Sequence, residues 1–225
     1  MEAMDVEIAA IEKRKQHLEL IELLNGQKTI SVKWMYKTKL KENSKVDKYK
    51  VRLIAKDYKQ EFGIDYKEVF APIARHDMIR LVIALEAQNS WHIFQFDIKL
   101  AFLHGDLDEH VLIDQPLSYI KVGNEHKVYK LKKALYELKQ APRAWYSRIH
   151  AYILNAGFKK CPYEHTFFVK IGDGGKMLIV CLYVDDLIYT RNDRAMFEKL
   201  KKSMMVEFDM SNLDMMHYFL GIEVE

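Results

Sequence analysis

The sequence predicts an α+β protein whose strands pair mainly as antiparallel hairpins. Three observations carry this expectation. Apolar and basic residues alternate with a period of two over residues 32–41 and again over 48–53, the mark of a strand with one face buried. A β-branched apolar run covers 177–184 and resumes as Leu187-Ile188-Tyr189, which reads as a buried strand. Short segments with helical spacing lie between such strands, and interspersed helices and hairpins are the pattern of an α+β sheet protein.

Taken in order, residues 4–24 read as a helix with Ile8, Ile11, Leu18 and Ile21 on one side. In the hairpin that follows, Val32, Trp34, Tyr36 and Leu40 oppose Lys33, Lys37, Lys39 and Lys41; after a Glu42-Asn43-Ser44-Lys45 turn, Tyr49, Val51 and Leu53 oppose Lys48, Lys50 and Arg52. One face is expected in the core and the other is strongly basic. Asp77 can cap a helix carrying Ile79, Val82, Ile83 and Leu85. Residues 91–98 read as a strand holding Asp97 near its end, and 128–131 as a short strand. Pro142 suits the first turn of a helix that continues with Trp145, Ile149, Tyr152 and Ile153 on one face. Residues 166–171 and 177–184 are strands joined by Gly172-Asp173-Gly174-Gly175. That glycine cluster lacks phosphate-loop spacing and reads as a hairpin turn. Asn192 or Asp193 caps a helix with Phe197, Leu200 and Met204 inward, and a last strand runs through Tyr218, Leu220, Ile222 and Val224.

A chain of 225 residues, 49% hydrophobic and 30% charged, has material for one large domain or two small ones with a real core. The net charge of +3 does not by itself mark a nucleic-acid binder. Distribution says more: residues 37–59 hold nine Lys or Arg against three acids, a local balance of +6. A solvated lysine face and a phosphate-binding surface both fit that balance. Two cysteines, Cys161 and Cys181, make no disulfide framework and favour a reducing compartment, cytoplasmic by default. Cys161 and His165 are too few for zinc and read as packing or surface residues. No stretch has the length of a membrane span, and the acidic start Met1-Glu2-Ala3-Met4-Asp5 lacks a signal-peptide core.

Tyr183-Val184-Asp185-Asp186 interrupts the longest apolar run with two adjacent acids. Two like charges about 4 Å apart repel by roughly 4 kcal/mol at an effective dielectric of about 20, and a divalent cation would reverse that sign. A tight Asp-Asp turn with both acids in water is the other reading. If the strand ending in Asp97 neighbours this one, three carboxylates converge. Such a cluster suits two Mg²⁺ ions, roughly 3.5–4 Å apart, that activate an attacking hydroxyl and neutralise leaving phosphate oxygens.

The chain resembles the reverse transcriptase region of copia-type (Ty1/copia) LTR retrotransposon Pol polyproteins. The matching blocks run in order over nearly the whole sequence: Val32-Lys33-Trp34-Met35-Tyr36-Lys37-Thr38-Lys39, Tyr49-Lys50-Val51-Arg52-Leu53-Ile54-Ala55-Lys56, Phe70-Ala71-Pro72-Ile73-Ala74-Arg75, Gln95-Phe96-Asp97-Ile98-Lys99-Leu100-Ala101-Phe102-Leu103-His104-Gly105, Leu138-Lys139-Gln140-Ala141-Pro142-Arg143-Ala144-Trp145-Tyr146, Tyr183-Val184-Asp185-Asp186 and Tyr218-Phe219-Leu220-Gly221-Ile222-Glu223. The resemblance implies a right-hand polymerase fold in which an antiparallel palm sheet is flanked by helices. Residues of about 28–75 would form the basic fingers hairpin and about 76–225 the palm with interspersed fingers segments. It also implies an RNA-directed DNA polymerase with Mg²⁺, or Mn²⁺, acting on dNTPs and a primed RNA or DNA template. Asp97, Asp185 and Asp186 match the catalytic, metal-binding carboxylates, with Asp97 and Asp185 as main ligands and Asp186 supporting. Lys50, Arg52, Lys56, Phe102 and Gln140 match the nucleotide site, with Phe102 as the aromatic that checks the sugar. Lys37, Lys39, Lys41, Lys48 and Arg143 match nucleic-acid contacts.

Several positions depart from the family. Asp57, Ser118, Glu137, Arg191 and Asp214 stand where glycine is usual, Leu100 where Ser or Thr is, and Leu117 where Pro is. A required glycine often marks a positive φ or a close backbone approach. With no thumb, RNase H, integrase or protease region expected in these residues, the departures suggest a degenerate, truncated copy. An inactive nucleic-acid-binding remnant is the alternative function.

Overall fold

The computed structural model describes residues 2–13, 17–40 and 44–223. In chain order its elements are α1 (Glu2–Lys13), β1 (Leu18–Glu22), β2 (Val32–Leu40), β3 (Val46–Ala55), α2 (His76–Asn89), β4 (Ile93–Ile98), β5 (Asp106–Ile113), β6 (Lys127–Lys133), α3 (Ala141–Asn155), β7 (Lys159–Lys160), β8 (Phe167–Ile171), β9 (Met177–Tyr183), β10 (Asp186–Arg191), α4 (Arg194–Glu207), β11 (Met210–Met215), β12 (Tyr218–Phe219) and β13 (Ile222–Glu223). The pairings of these strands are antiparallel, as the α+β reading expects. Two compact units divide the chain: Met1–Phe70 with Phe102–Trp145, and Ala71–Ala101 with Tyr146–Glu225. Among the described residues no helix is long and apolar enough to cross a membrane.

The first unit holds the β2–β3 hairpin and a three-stranded sheet in the order β1-β6-β5. The expected helix over 4–24 is helical only as far as Lys13 among the described residues, and Leu18–Glu22 form strand β1 instead. Leu18 and Leu20 alternate with Glu19, and β1 pairs with β6 in the register Leu18↔Leu131 and Leu20↔Tyr129. Partners for a whole row of backbone groups on β6 outweigh a helical spacing that this segment shares with a strand. Strand β5 has no expectation to match, because its acidic start Asp106-Leu107-Asp108-Glu109 resembles a loop; only Val111, Leu112 and Ile113 are buried.

The hairpin corrects a second expectation. Its apolar face is buried only at the base, at Val51, Leu53 and Ala55. Towards the tip Tyr36 is 66%, Leu40 59% and Tyr49 69% exposed. The strand spacing is as the alternation requires, but the ladder extends beyond the core. Lys41 of the expected strand and Glu42 and Asn43 of the expected turn lie outside the described residues.

The second unit is built on a six-stranded sheet in the order β11-β4-β10-β9-β8-β7. Successive side chains on a strand point to opposite faces. Phe94 and Phe96 of β4 therefore share a face with Tyr189 of β10. They stack on it at 5.2 and 4.9 Å, and Phe197 of α4 stacks on Tyr189 at 4.2 Å. The other face carries Ile93, Cys181 and Ile188, packed with Ile79 and Val82 of α2. Gln95 and Asp97 of β4 belong to that second face by the same alternation.

Caps and turns fix the ends. Asp193 is the N-cap of α4, its carboxylate accepting from the Met196 amide at 2.8 Å. Asp77 is not a cap: Arg75 occupies that position, and Asp77 lies inside the first turn with Arg80 3.6 Å away. An acid there is still favoured by the helix dipole. The glycine cluster closes the β8–β9 hairpin with Gly174 and Gly175 at φ 69 and 75. The single last strand expected through Tyr218 is instead a tight hairpin, β12 paired with β13 around Leu220-Gly221. Those two residues have φ 49 and 83, the positive pair that a two-residue hairpin turn demands. Val224 lies outside the described residues. Strand β11, also not expected, lines the outer edge of β4.

Candidate active site

β4 and β10 are adjacent strands of the second unit, and Asp97 is the direct register partner of Asp186. Like charges placed directly opposite on a sheet are unfavourable. The tight turn expected at the acidic tetrapeptide is present, but Asp185 and Asp186 are half-buried rather than in open water. β9 ends at Tyr183, Val184-Asp185 make a two-residue turn, and Asp186 begins β10 opposite Tyr183. The main-chain carbonyl of Asp185 accepts from the Ile98 amide at 2.8 Å, which ties the turn to the end of β4. Val184 has φ 53. A left-handed conformation is costly for a β-branched residue and persists where surrounding contacts impose it, often at a functional site.

Leu100, three residues after Asp97, also has a positive φ of 55. Between them the Lys99 amide donates to the Asp209 carbonyl at 2.8 Å, and the Lys99 ammonium lies 3.5 Å from the Asp209 carboxylate. Strained backbone thus flanks both acidic positions.

Burial holds the Asp186 carboxyl above its ordinary range. A hydrogen bond from the Gln95 amide, 2.9 Å to Oδ1, acts in the other direction, while the charges of Asp185 and Asp97 push it up again. An ion that takes hard oxygen donors, such as Mg²⁺, suits this donor set, and its charge would relieve the repulsion that Asp186 shows. Among the described residues, no three His, Cys, Asp or Glu side chains form a ready-made cage for a metal.

The expected nucleotide and nucleic-acid residues belong to the first unit. The Arg52 guanidinium lies 4.7 Å from the ring centre of Tyr136, and Phe102 meets the same ring edge-on at 5.9 Å. Arg52 Nε is buried and has no hydrogen-bond partner among the described residues. Tyr136 is held by its carbonyl, which accepts from the Ala55 amide at 2.9 Å. Sequence reading missed Tyr136, whose role as a platform depends on a loop meeting the end of β3. Lys37 pairs directly with Lys50 and Lys39 with Lys48 across the hairpin. Lys56 is half-buried beyond the end of β3, and Lys41 lies outside the described residues.

Two further expectations gain a different structural content. Gln140 is fully buried, its carbonyl accepting from Gln60 and its amide donating to the Asp65 carbonyl, both at 2.9 Å. It braces residues 60–65 rather than offering a free amide. Arg143 donates to Glu109 at 2.9 Å and to the Glu68 carbonyl at 3.1 Å, so its charge is largely spent within the protein. Of the glycine positions filled by larger residues, Ser118 and Glu137 have φ 72 and 66. Asp57 lies in a short 3-10 turn, Arg191 in β10 and Asp214 in β11.

The sequence model of the family described as Reverse transcriptase (RNA-dependent DNA polymerase) matches residues 15–225. The chain belongs to the reverse transcriptase family. This reverse transcriptase region is 34% identical over 224 residues to the Retrovirus-related Pol polyprotein from transposon TNT 1-94 of Nicotiana tabacum, covering 100% of the chain and 17% of that polyprotein. It is 36% identical over 196 residues to the polyprotein from transposon RE1 of Arabidopsis thaliana, covering 87% of the chain and 13% of the relative. Against the Ty1-BL Gag-Pol polyprotein of Saccharomyces cerevisiae it is 28% identical over 157 residues, 67% of the chain and 8% of the relative. The chain is a reverse transcriptase domain of the copia type, and it spans less than a fifth of the length of these relatives.

Proposed function

We propose that the chain serves as the polymerase portion of a copia-type Pol polyprotein, joining dNTPs to a primer 3′-hydroxyl on an RNA or DNA template. The observation that carries this reading is the direct pairing of Asp97 with Asp186 beside a strained turn that supplies Asp185. Three acids concentrated at one end of a sheet need a cation or a reason to tolerate their repulsion.

In this reading Asp97 and Asp185 are the main ligands of two divalent ions, Mg²⁺ or Mn²⁺, and Asp186 supports them. When bound, the ions lower the pKa of the attacking hydroxyl and neutralise charge on the leaving pyrophosphate. The protein's own part is placement: the main-chain bond from Ile98 to Asp185 holds the turn against β4, so the acids are presented from rigid backbone. Arg52 on its Tyr136 platform, with Lys50 and Lys56, is assigned to phosphate of the incoming nucleotide or template. Phe102, packed on the same platform, is assigned to the sugar. Gln140 acts as the brace of that region. Lys37, Lys39 and Lys48 are assigned to the nucleic-acid backbone, and the hairpin and sheet correspond to fingers and palm.

A second reading, a nucleic-acid-binding remnant without activity, is favoured by Ser118 and Glu137, which hold left-handed backbone where the family carries glycine. Mg²⁺-dependent primer extension on an RNA template, with Asp185→Asn alongside, separates the two. Extension by the wild type that disappears in the variant supports the polymerase. A folded wild type that binds primer–template but extends nothing supports the remnant.

A further inference from the structure

Gln95 is absent from the carboxylate set, yet its side chain hydrogen-bonds to one member of it, Asp186. In register it faces Ile188, two residues beyond Asp186 on β10. Its amide nevertheless reaches along the strand to donate to Asp186 Oδ1 at 2.9 Å. Diagonal neighbours on a sheet are within reach of long side chains, and the alternation of β4 places Gln95 on the same face as Asp97. Gln95 is half-buried, so water would not fully replace its amide.

We propose that Gln95 is a positioning residue for Asp186: it occupies one carboxylate oxygen and fixes the carboxylate plane, so the other oxygen is left for a divalent cation. This deepens the polymerase reading and rests on it. A neutral donor suits the task. A lysine or arginine there would cancel the negative charge that the ion needs, whereas an amide orients the carboxylate and leaves its charge intact. Partners that orient a metal-binding carboxylate without touching the metal commonly change metal affinity or activity 10–100-fold when removed.

The test measures Mn²⁺ binding by the whole purified chain with electron paramagnetic resonance, independently of turnover. Wild type is compared with Gln95→Met, which keeps length and loses the donor. It is also compared with Gln95→Asn, which keeps the amide but withdraws it by one methylene, and with Asp97→Asn/Asp186→Asn. Melting curves establish that each variant is folded, and the shorter amide serves if the methionine variant is not. The expected result is Mn²⁺ binding about 10-fold weaker in either Gln95 variant, with kcat for primer extension reduced and the KM for dNTP unchanged. Wild-type affinity in a folded Gln95 variant overturns the proposal while leaving the carboxylate reading intact. A wild type that binds no more Mn²⁺ than the double carboxylate variant overturns both.

Discussion

Asp97 and Asp186 face each other directly across the β4–β10 pairing, two carboxylates at adjacent strand ends with no basic side chain among the groups that set the Asp186 carboxyl. Burial first, and then the nearby charges of Asp185 and Asp97, hold that carboxyl above its ordinary range. Sites that must hold ions or bind substrate are commonly less stable than their neighbourhood allows.

Asp186→Asn is therefore expected to raise stability in metal-free buffer. The Asp186 carboxyl titrates above its ordinary value of 3.8. Its contribution to stability is thus full below that value and is lost as pH rises through the folded-state pKa. The asparagine variant removes the loss and gains a few tenths to about 1 kcal/mol at neutral pH, while primer extension falls. Urea unfolding at pH 4 and pH 7 in EDTA measures it: the gain should be larger at pH 7. A destabilised variant at pH 7 would mean that hydrogen bonding to Asp186 outweighs the repulsion.

Glu137→Gly should stabilise the protein. At φ 66, a residue with a Cβ pays about 1–2 kcal/mol in the left-handed region. Glycine avoids that cost but gives back about 0.5–1 kcal/mol of unfolded-state entropy. A net gain of a few tenths to about 1 kcal/mol is expected by thermal unfolding, and Glu137→Ala should gain little.

Gly105→Ala should do the opposite. A Cβ at Gly105 would lie 2.6 Å from the backbone carbon of Ala144 and from the Trp145 nitrogen. Backbone cannot yield as a flexible side chain does, so a loss of about 1–3 kcal/mol is expected. Unchanged denaturant midpoints would show that the helix start shifts freely.

The hairpin lysines and Arg143 should separate binding from stability. Lys39 opposite Lys48 is a like-charge pair on a largely exposed hairpin. Lys39→Gln/Lys48→Gln should leave stability equal or slightly higher, weaken binding to an RNA–DNA duplex, and reduce the salt slope by about 2. Arg143→Ala, which strips the partner from Glu109, whose side chain is 8% exposed, should destabilise the fold with little change in that slope. Binding measured from low to moderate salt decides the assignment of each.

The two cysteines should differ in reactivity. Burial, helped by the charge of Glu164, pushes the Cys181 thiol up to about 12, so it should resist a thiol reagent at pH 8 until the protein unfolds. Cys161 is partly exposed and should react in the native state. Immediate modification of both would show that β9 opens readily.

Much of the candidate site was legible in the sequence because it depends on period-two alternation and residue order. The matched motifs located Asp97, Asp185 and Asp186, and the alternation of β4 was enough to place Gln95 beside Asp97, although its reach to Asp186 needs the β10 register. Asp193 as a cap and the Gly172–175 turn were likewise local. Where a segment satisfies two local patterns, as residues 18–22 do, sequence alone did not choose, since the backbone groups of β6 that select the strand are more than a hundred positions away.

By itself, then, the sequence determined the order of the motifs, the α+β class and which acids are candidates for the site, all set by spacing along the chain. Only the tertiary structure decided that β4 pairs with β10 rather than β9, that Gln140 and Arg143 are consumed by internal bonds, and that the apolar face of the hairpin is buried only at its base. The reason is physical: local spacing fixes which way a side chain points, but register, partner and burial arise from contacts between residues distant in the chain.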